Sequence, residues 1–98
     1  MDAVLLVRRR VIVATDAFAE IVVWRLPEPV PSSSHEYKYR LAYVVNSECV
    51  LRFDNERGKG DHRHFAGSES EYKFSDVDKL LTDFNAEMER WNHEHSRS

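Results

Sequence analysis

The sequence predicts a single α+β domain over residues 1–98, in which an antiparallel sheet of about five strands carries one long C-terminal amphipathic helix packed on one face. Apolar residues recur at every second position through most of the chain, as in strands with one buried face. Near the C-terminus their spacing becomes three and four residues, as along one side of a helix. A hydrophobic fraction of 42% suits one core and is too small for two.

The first two strands are predicted at residues 4–13 and 17–26. The first is rich in Val, Ile and Leu but contains three arginines at 8–10, at least one of which must point to the opposite face. An ordinary solvated strand explains this run more simply than a phosphate site does. Trp24 is in phase with apolar neighbours and is therefore expected in the core. The proline- and serine-rich residues 27–35 predict an exposed connector.

A hairpin is predicted from residues 36–45 and 49–55. A three-residue turn at 46–48 would place the apolar side chains of both strands on one face, whereas a two-residue turn would mix them with polar ones. The bulged, three-residue version is therefore predicted. The opposite, polar face of the hairpin would then carry Lys38, Arg40, Arg52 and Asp54.

The helix is predicted to begin near Asp76. Ser75 followed by Asp78 resembles a capping box, and the segment at 70–74 before it is compatible with a short closing strand. The apolar stripe of the helix is expected to pack against the tyrosine-bearing face of the sheet. The residues expected to be buried there are Leu80, Leu81, Phe84, Met88 and Trp91.

Composition excludes several classes of protein. A net charge of −3 argues against a broadly basic nucleic-acid-binding domain, so any phosphate site must be local. The short N-terminal apolar run lacks a basic leader and the length of a membrane span, so a cytoplasmic protein without membrane association is expected. Cys49 cannot form an internal disulfide and is expected to be a buried thiol in a reducing compartment.

A dense polar cluster, "DNERGKGDHRH", follows the hairpin at residues 54–64. His62 and His64 are two positions apart and would share a face in an extended strand. Histidine titrates near neutral pH, so such a pair suits RNA cleavage, in which one group accepts and another donates a proton. Cations would hold the phosphate, and the candidates in and beside the cluster are Arg52, Arg57, Lys59 and Arg63.

Two other interpretations of this cluster remain open. A solvent-exposed hairpin tip has the same glycines and alternating charges. Alternatively, His62, His64 and a carboxylate such as Asp54 or Asp61 could form an open metal site. The surplus of cations disfavours a divalent ion, so neither a metal nor another cofactor is predicted.

The segment "LRFDNERGKGDHRHF", the tyrosine-rich strand before it and the acidic helix after it resemble the TumE family of toxins from bacterial and archaeal toxin–antitoxin pairs. The similarity covers most of the chain as far as Trp91. Its most specific part is Arg52, Asp54 and Asn55, followed by the histidine-containing "KGDHRH". The resemblance implies a small intracellular toxin encoded beside a cognate antitoxin. By analogy with other small toxins, it also implies an attack on RNA.

The resulting hypothesis is a type II toxin acting as a metal-independent endoribonuclease. Its predicted catalytic residues are Asp54, Asn55, His62 and His64, all of which are expected on a polar surface. Its predicted phosphate-binding residues are Arg40, Arg52, Arg57, Lys59 and Arg63. The predicted partners are RNA and a cognate antitoxin that is itself a small DNA-binding regulator, and a homodimer is left open. The alternatives are a non-catalytic module that docks RNA or protein, and a metal-dependent nuclease.

Overall fold

The computed structural model describes residues 2–29, 34–56 and 59–97. Within these residues, six antiparallel strands form one sheet in chain order, and a helix follows. The elements are β1 (Val4–Ala14), β2 (Ala17–Arg25), β3 (Tyr37–Val45), β4 (Glu48–Glu56), β5 (Gly60–Phe65), β6 (Ser68–Glu71) and α1 (Val77–Glu94). The predicted α+β fold is confirmed. The sheet has one strand more than expected, because the polar cluster itself folds back as the β4–β5 hairpin.

The turn between β3 and β4 corrects the predicted hairpin. Asn46 and Ser47 have φ of 51° and 65°, so the turn has two left-handed residues and the three-residue turn at 46–48 is wrong. A register shift in the strands next to the turn restores the predicted pairing, and beyond it Tyr43 lies opposite Leu51. Leu51 and Phe53 therefore still share a face with Tyr43 and Leu41, because a bulge supplies the extra residue that the turn does not.

α1 begins at Val77, close to the predicted start near Asp76, and its apolar stripe packs as predicted. The N-cap is Asp76 rather than Ser75, and its carboxylate accepts a hydrogen bond of 2.8 Å from the Lys79 amide. Trp91 meets the ring of Tyr43 edge-on with ring centroids 5.9 Å apart. Leu80, Phe84 and Trp91 are buried, and Leu81 and Met88 pack against them partly buried. Among the described residues, no helix has the length and apolar composition to cross a bilayer.

The sheet has two different faces. The helix face packs against α1 and includes Leu41 and Phe53 in the core. The opposite face, which carries Arg52 and Asp54, is called the open face below. Trp24 lies opposite Lys38 in the β2–β3 ladder and belongs to the open face, so its expected place in the core is wrong.

Two further expectations are corrected. Cys49 is exposed and not buried, because the two-residue turn pairs it with Val44, whose side chain lies on the open face rather than on the helix face. The closing strand β6 begins at Ser68 rather than at residue 70, because Ala66 and Gly67 form a turn with positive φ directly after β5.

Asp83 links α1 to the segment that precedes it. Its carboxylate accepts hydrogen bonds from the Tyr72 hydroxyl at 2.7 Å and from Lys79 Nζ at 2.9 Å. Burial, the largest single influence, raises the pKa of Asp83, but these hydrogen bonds and the positive charges of Lys79 and Arg63 outweigh it. The pKa therefore lies below its usual value of 3.8.

Asp83→Asn is expected to lower the free energy of unfolding by about 1 kcal/mol at neutral pH, because it removes the charged acceptor. A carboxyl group whose pKa is lowered by folding stabilises the fold fully above its unfolded pKa, and this stabilisation is lost as pH falls through the folded pKa. The difference from wild type should therefore shrink below pH 3.8. Chemical denaturation at neutral pH and below pH 3.8 measures this difference. The variant Glu89→Gln, at an exposed position, is the control. An equal difference at both pH values would contradict the prediction.

Candidate functional site

Four of the predicted site residues form a block on the open face. In the β4–β5 ladder Asp54 lies opposite His62, and Arg52 lies opposite His64. Directly opposed residues of antiparallel strands point to the same face, so two histidines, a carboxylate and a guanidinium are adjacent. The spacing of the two histidines predicted that they share a face. The strand register shows that Arg52 and Asp54 lie beside them on that face.

Arg52 is the centre of this block. Its Nη2 lies 3.0 Å from His64 Nε2, and its Nε lies 3.1 Å from Asp54 Oδ2. A guanidinium only donates hydrogen bonds, so His64 Nε2 accepts and carries no proton in this arrangement. The buried Arg52 Nε makes no hydrogen bond within the described residues, so Asp54 balances the charge of Arg52 without accepting from Nε. His64 therefore presents a basic nitrogen directly beside a permanent cation.

His62 is held differently. Its Nε2 lies 2.5 Å from the carbonyl oxygen of Lys59, and its Nδ1 lies 3.1 Å from a carboxylate oxygen of Glu69. Both neighbouring atoms are acceptors, so the doubly protonated imidazolium satisfies both contacts at once. The His62 side chain is 15% exposed, compared with 31% for that of His64. The two histidines therefore have different partners, because His64 Nε2 faces a donor whereas both nitrogens of His62 face acceptors.

A pocket of about 250 Å³ lies beside the block on the open face. Its lining includes Trp24, Lys38, Arg40, Arg52, Asp54 and Glu56. The volume is below the range of about 300–1,000 Å³ typical of pockets for drug-sized ligands, so the pocket has room for a smaller group. An indole next to several cations is a combination that can stack a base and hold a phosphate.

The structure separates two predicted residues from this face. Arg63 points to the helix face, where its Nη1 lies 3.8 Å from Glu87 of α1. Asn55 is fully buried, with Oδ1 accepting from the Tyr39 amide at 2.9 Å and Nδ2 donating to the Tyr37 carbonyl at 2.6 Å. The expectation that Asn55 lies on a polar surface is therefore wrong. Asp54 belongs to the open face, but it too is buried rather than at the surface.

The reason for the burial of Asn55 lies in the β3–β4 ladder. Among the described residues, the last pair of these strands joins Arg40 and Asp54. Asn55 comes directly after it, and its side-chain amide bonds to backbone groups of β3 that would otherwise lack a ladder partner. Asn55 thus extends the connection between the two strands beyond the end of their backbone pairing.

The remaining predicted cations are distributed around the block. Arg40 is exposed on β3, lies opposite Asp54 and lines the pocket. Lys59 lies in the turn before β5, with Nζ exposed and 3.8 Å from Glu56, and its carbonyl holds His62. Arg57 lies outside the described residues.

Sequence reasoning missed a polar contact on the helix face. His35 Nε2 lies 2.8 Å from Asp61 Oδ1, which also accepts a 2.6 Å hydrogen bond from the Tyr39 hydroxyl. The Tyr37 amide donates to His35 Nδ1, and the imidazole stacks on Phe74 with ring centroids 3.9 Å apart. The expectation of an exposed connector is therefore wrong for His35. The spacing "HEYKY", which puts His35 in phase with two tyrosines, could have indicated this.

The contacts of this second cluster fix the orientation of the His35 imidazole. Both nitrogens of His35 have partners, and Nδ1 accepts while Nε2 donates to Asp61. Burial, and then the hydrogen bond to Asp61, raises the pKa of Tyr39 far above its usual value, so the phenol stays protonated. The cluster ties the connector to the sheet on the side opposite to His62 and His64.

Metal ligands do not converge in the described part of the chain, where no three His, Cys, Asp or Glu side chains are grouped in a way that could hold an ion. His64 and Asp54 are both engaged by Arg52, whose positive charge opposes a cation there.

Comparison with protein-family models assigns the chain to a known family. The family model described as Toxin TumE matches residues 2–92, which include the whole sheet and nearly all of α1. No curated protein is significantly similar to the chain. No solved structure is significantly similar to it either. Because the family match covers nearly the whole chain and includes the block of Arg52, Asp54, His62 and His64, the chain belongs to the TumE toxin family.

Proposed function

We propose that this TumE-family toxin binds RNA on the open face and cleaves it without a metal ion, and that a cognate antitoxin neutralises it. The observation that carries the proposal is the hydrogen bond between Arg52 and His64, since it joins a basic nitrogen to a permanent cation that could bind phosphate. The toxin family implies an antitoxin partner, and the chemistry proposed for the open face supplies the toxic activity.

Binding would use the pocket and its rim. A base stacks on Trp24, and the phosphate that follows it contacts Arg40 at the exposed edge of the pocket. Lys38 Nζ donates to the Asn55 carbonyl at 2.6 Å, so Lys38 contributes charge more than a direct contact. The carboxylate of Glu56 in the same lining repels phosphate and can accept from an amino group on the edge of a base.

Cleavage would use the two histidines in different roles, which their different hydrogen-bonding partners support. His64 Nε2 accepts the proton of the 2′-hydroxyl once Arg52 turns from His64 to the phosphate. The 2′-oxygen then attacks phosphorus, the bond to the 5′-oxygen breaks, and a 2′,3′-cyclic phosphate forms. His62, whose nitrogens face the Lys59 carbonyl and a Glu69 carboxylate, would turn from one of these acceptors and donate a proton to the leaving oxygen.

The proposal is tested with purified toxin and RNA in the presence of a strong chelator. Cleavage with 2′,3′-cyclic phosphate ends is the expected result, because no step uses a metal ion. Cleavage that stops with chelator and returns with a divalent metal would favour a metal-dependent nuclease. Tight RNA binding without cleavage by the active toxin would favour a docking module.

Trp24→Ala is expected to weaken RNA binding by about tenfold, because one stacked base contributes about 1–3 kcal/mol. Trp24→Phe keeps an aromatic ring and should bind nearly as well as wild type. Fluorescence anisotropy with a short labelled RNA measures both variants. If the alanine variant binds RNA as tightly as wild type, and circular dichroism shows that its fold is intact, the pocket is not part of the binding site.

A further inference from the structure

The sheet has two very different edges. Within the described residues, the strand order leaves β1 at one edge and β6 at the other. β6 has four residues, all of them exposed, and two are glutamates, which is how proteins usually protect an edge. β1 has 11 residues and presents apolar side chains that are 38–69% exposed. These are Val4, Leu5, Leu6, Val11, Ile12 and Val13.

The arginines in the middle of β1 disfavour pairing of this edge with its own copy. Full-length antiparallel pairing of two β1 strands places Arg9 opposite Arg9, and Arg8 opposite Arg10. Pairing over the regular run at residues 7–12, between the register shifts of β1, places Arg9 opposite Arg10. Like charges directly opposite each other are destabilising, so a second β1 is a poor occupant.

The residues of β2 that pair with the inner edge of β1 indicate which side chains suit a strand next to β1. On β2, Glu20 lies directly opposite Arg10, with the closest charged atoms 3.6 Å apart. The neighbouring β2 residues are apolar, and the Phe18 ring receives the Arg10 guanidinium at 4.0 Å. An acidic residue flanked by apolar ones therefore already pairs with this strand.

We propose that the outer edge of β1 takes up an extended segment of a partner protein, with acidic residues at its centre and apolar, β-branched residues on both sides, as an additional strand of the sheet. Main-chain hydrogen bonds to the free edge would provide affinity, and the arginines would provide selectivity. The partner implied for a toxin is its antitoxin, but the docking site is independent of the RNA chemistry proposed for the open face. Loss of cleavage would leave it intact.

The first test uses synthetic peptides of 11 residues, the length of β1. One has three central glutamates between Val, Ile and Thr flanks, and its matched control has three central lysines. Two further glutamate peptides carry N-methyl groups on alternate amides. One is methylated at the odd-numbered positions and the other at the even-numbered positions. The glutamate peptide is expected to slow amide hydrogen exchange in β1. One of the two methylated peptides should bind about tenfold more weakly than the unmethylated glutamate peptide, and the other should bind equally well. The reason is that an added strand donates hydrogen bonds to β1 only from alternate amides.

The second test reverses the charge of the edge. The triple variant Arg8→Glu, Arg9→Glu and Arg10→Glu should bind the lysine peptide and lose the glutamate peptide. Lys73→Glu, an exposed residue outside the sheet, should leave the preference unchanged. If the triple variant does not fold, the two methylated peptides still decide the question on wild-type protein. Equal binding of the two methylated peptides would overturn the proposal, because it would mean charge attraction without strand pairing.

Two other occupants would also overturn the proposal. If β1 becomes protected when the protein alone is concentrated, and Glu69→Lys with Glu71→Lys abolishes this, the occupant is β6 of a second copy. If a short RNA protects the β1 amides and the glutamate peptide does not, the arginines belong to the nucleic-acid surface.

Discussion

His64→Ala is expected to reduce RNA cleavage by about a hundredfold or more and to abolish growth arrest, with a near-normal melting temperature. A positioned proton-transfer group contributes about 10²–10⁴ in rate. The His64 side chain is 31% exposed and contacts Arg52 and Glu69 on the open face, so its loss should change stability by only about half a kcal/mol. Cleavage assays, melting curves and expression without antitoxin measure the three quantities.

The pH profile separates the roles of the two histidines. A general base must be unprotonated, so the rate of cleavage should rise with pH on the acid side of the profile. His64→Ala should remove this rise from the residual rate. A general acid must be protonated, so His62→Ala should remove the fall on the alkaline side. Arg63→Ala is the matched comparison, because Arg63 lies between the two histidines but points to the helix face, and it should retain cleavage. If both histidine variants remain fully toxic, a docking module is the better account.

Asn55→Ala is expected to destabilise the fold by about 2–3 kcal/mol, because it leaves backbone groups of Tyr37 and Tyr39 without the side chain that bonds them in a buried place. Any loss of toxicity should follow the fraction of protein that is folded. Urea denaturation measures the stability, with the exposed Asn85→Ala of α1 as control. Asn55→Asp keeps the acceptor for the Tyr39 amide but buries a carboxylate against the Tyr37 carbonyl, so at neutral pH it should destabilise the fold at least as much as Asn55→Ala.

A different outcome would return Asn55 to the role predicted from the sequence. If Asn55→Ala melts like wild type and binds RNA normally but does not cleave it, Asn55 acts on the reacting groups. The substitution therefore distinguishes a residue that holds two strands together from one that takes part in the reaction.

Local spacing along the chain determined most of the fold and part of the site. Period-two alternation predicted the strands, and the three- and four-residue spacing predicted which side chains of α1 are buried. The same alternation placed His62 and His64 on one face. These features depend on neighbours in sequence, because the backbone geometry of a strand or helix fixes where successive side chains point.

Contacts between distant residues decided the rest. β2 is apolar on both faces, so its spacing could not show which face α1 would cover, and Trp24 lies on the open face. Alternation puts Asn55 out of phase with Asp54, but only the end of the β3–β4 ladder explains its buried hydrogen bonds. His35 and Asp61 are 26 positions apart and meet through the fold of the whole sheet. Spacing fixes the direction of a side chain, whereas its partner depends on strand register and on which surface the helix covers.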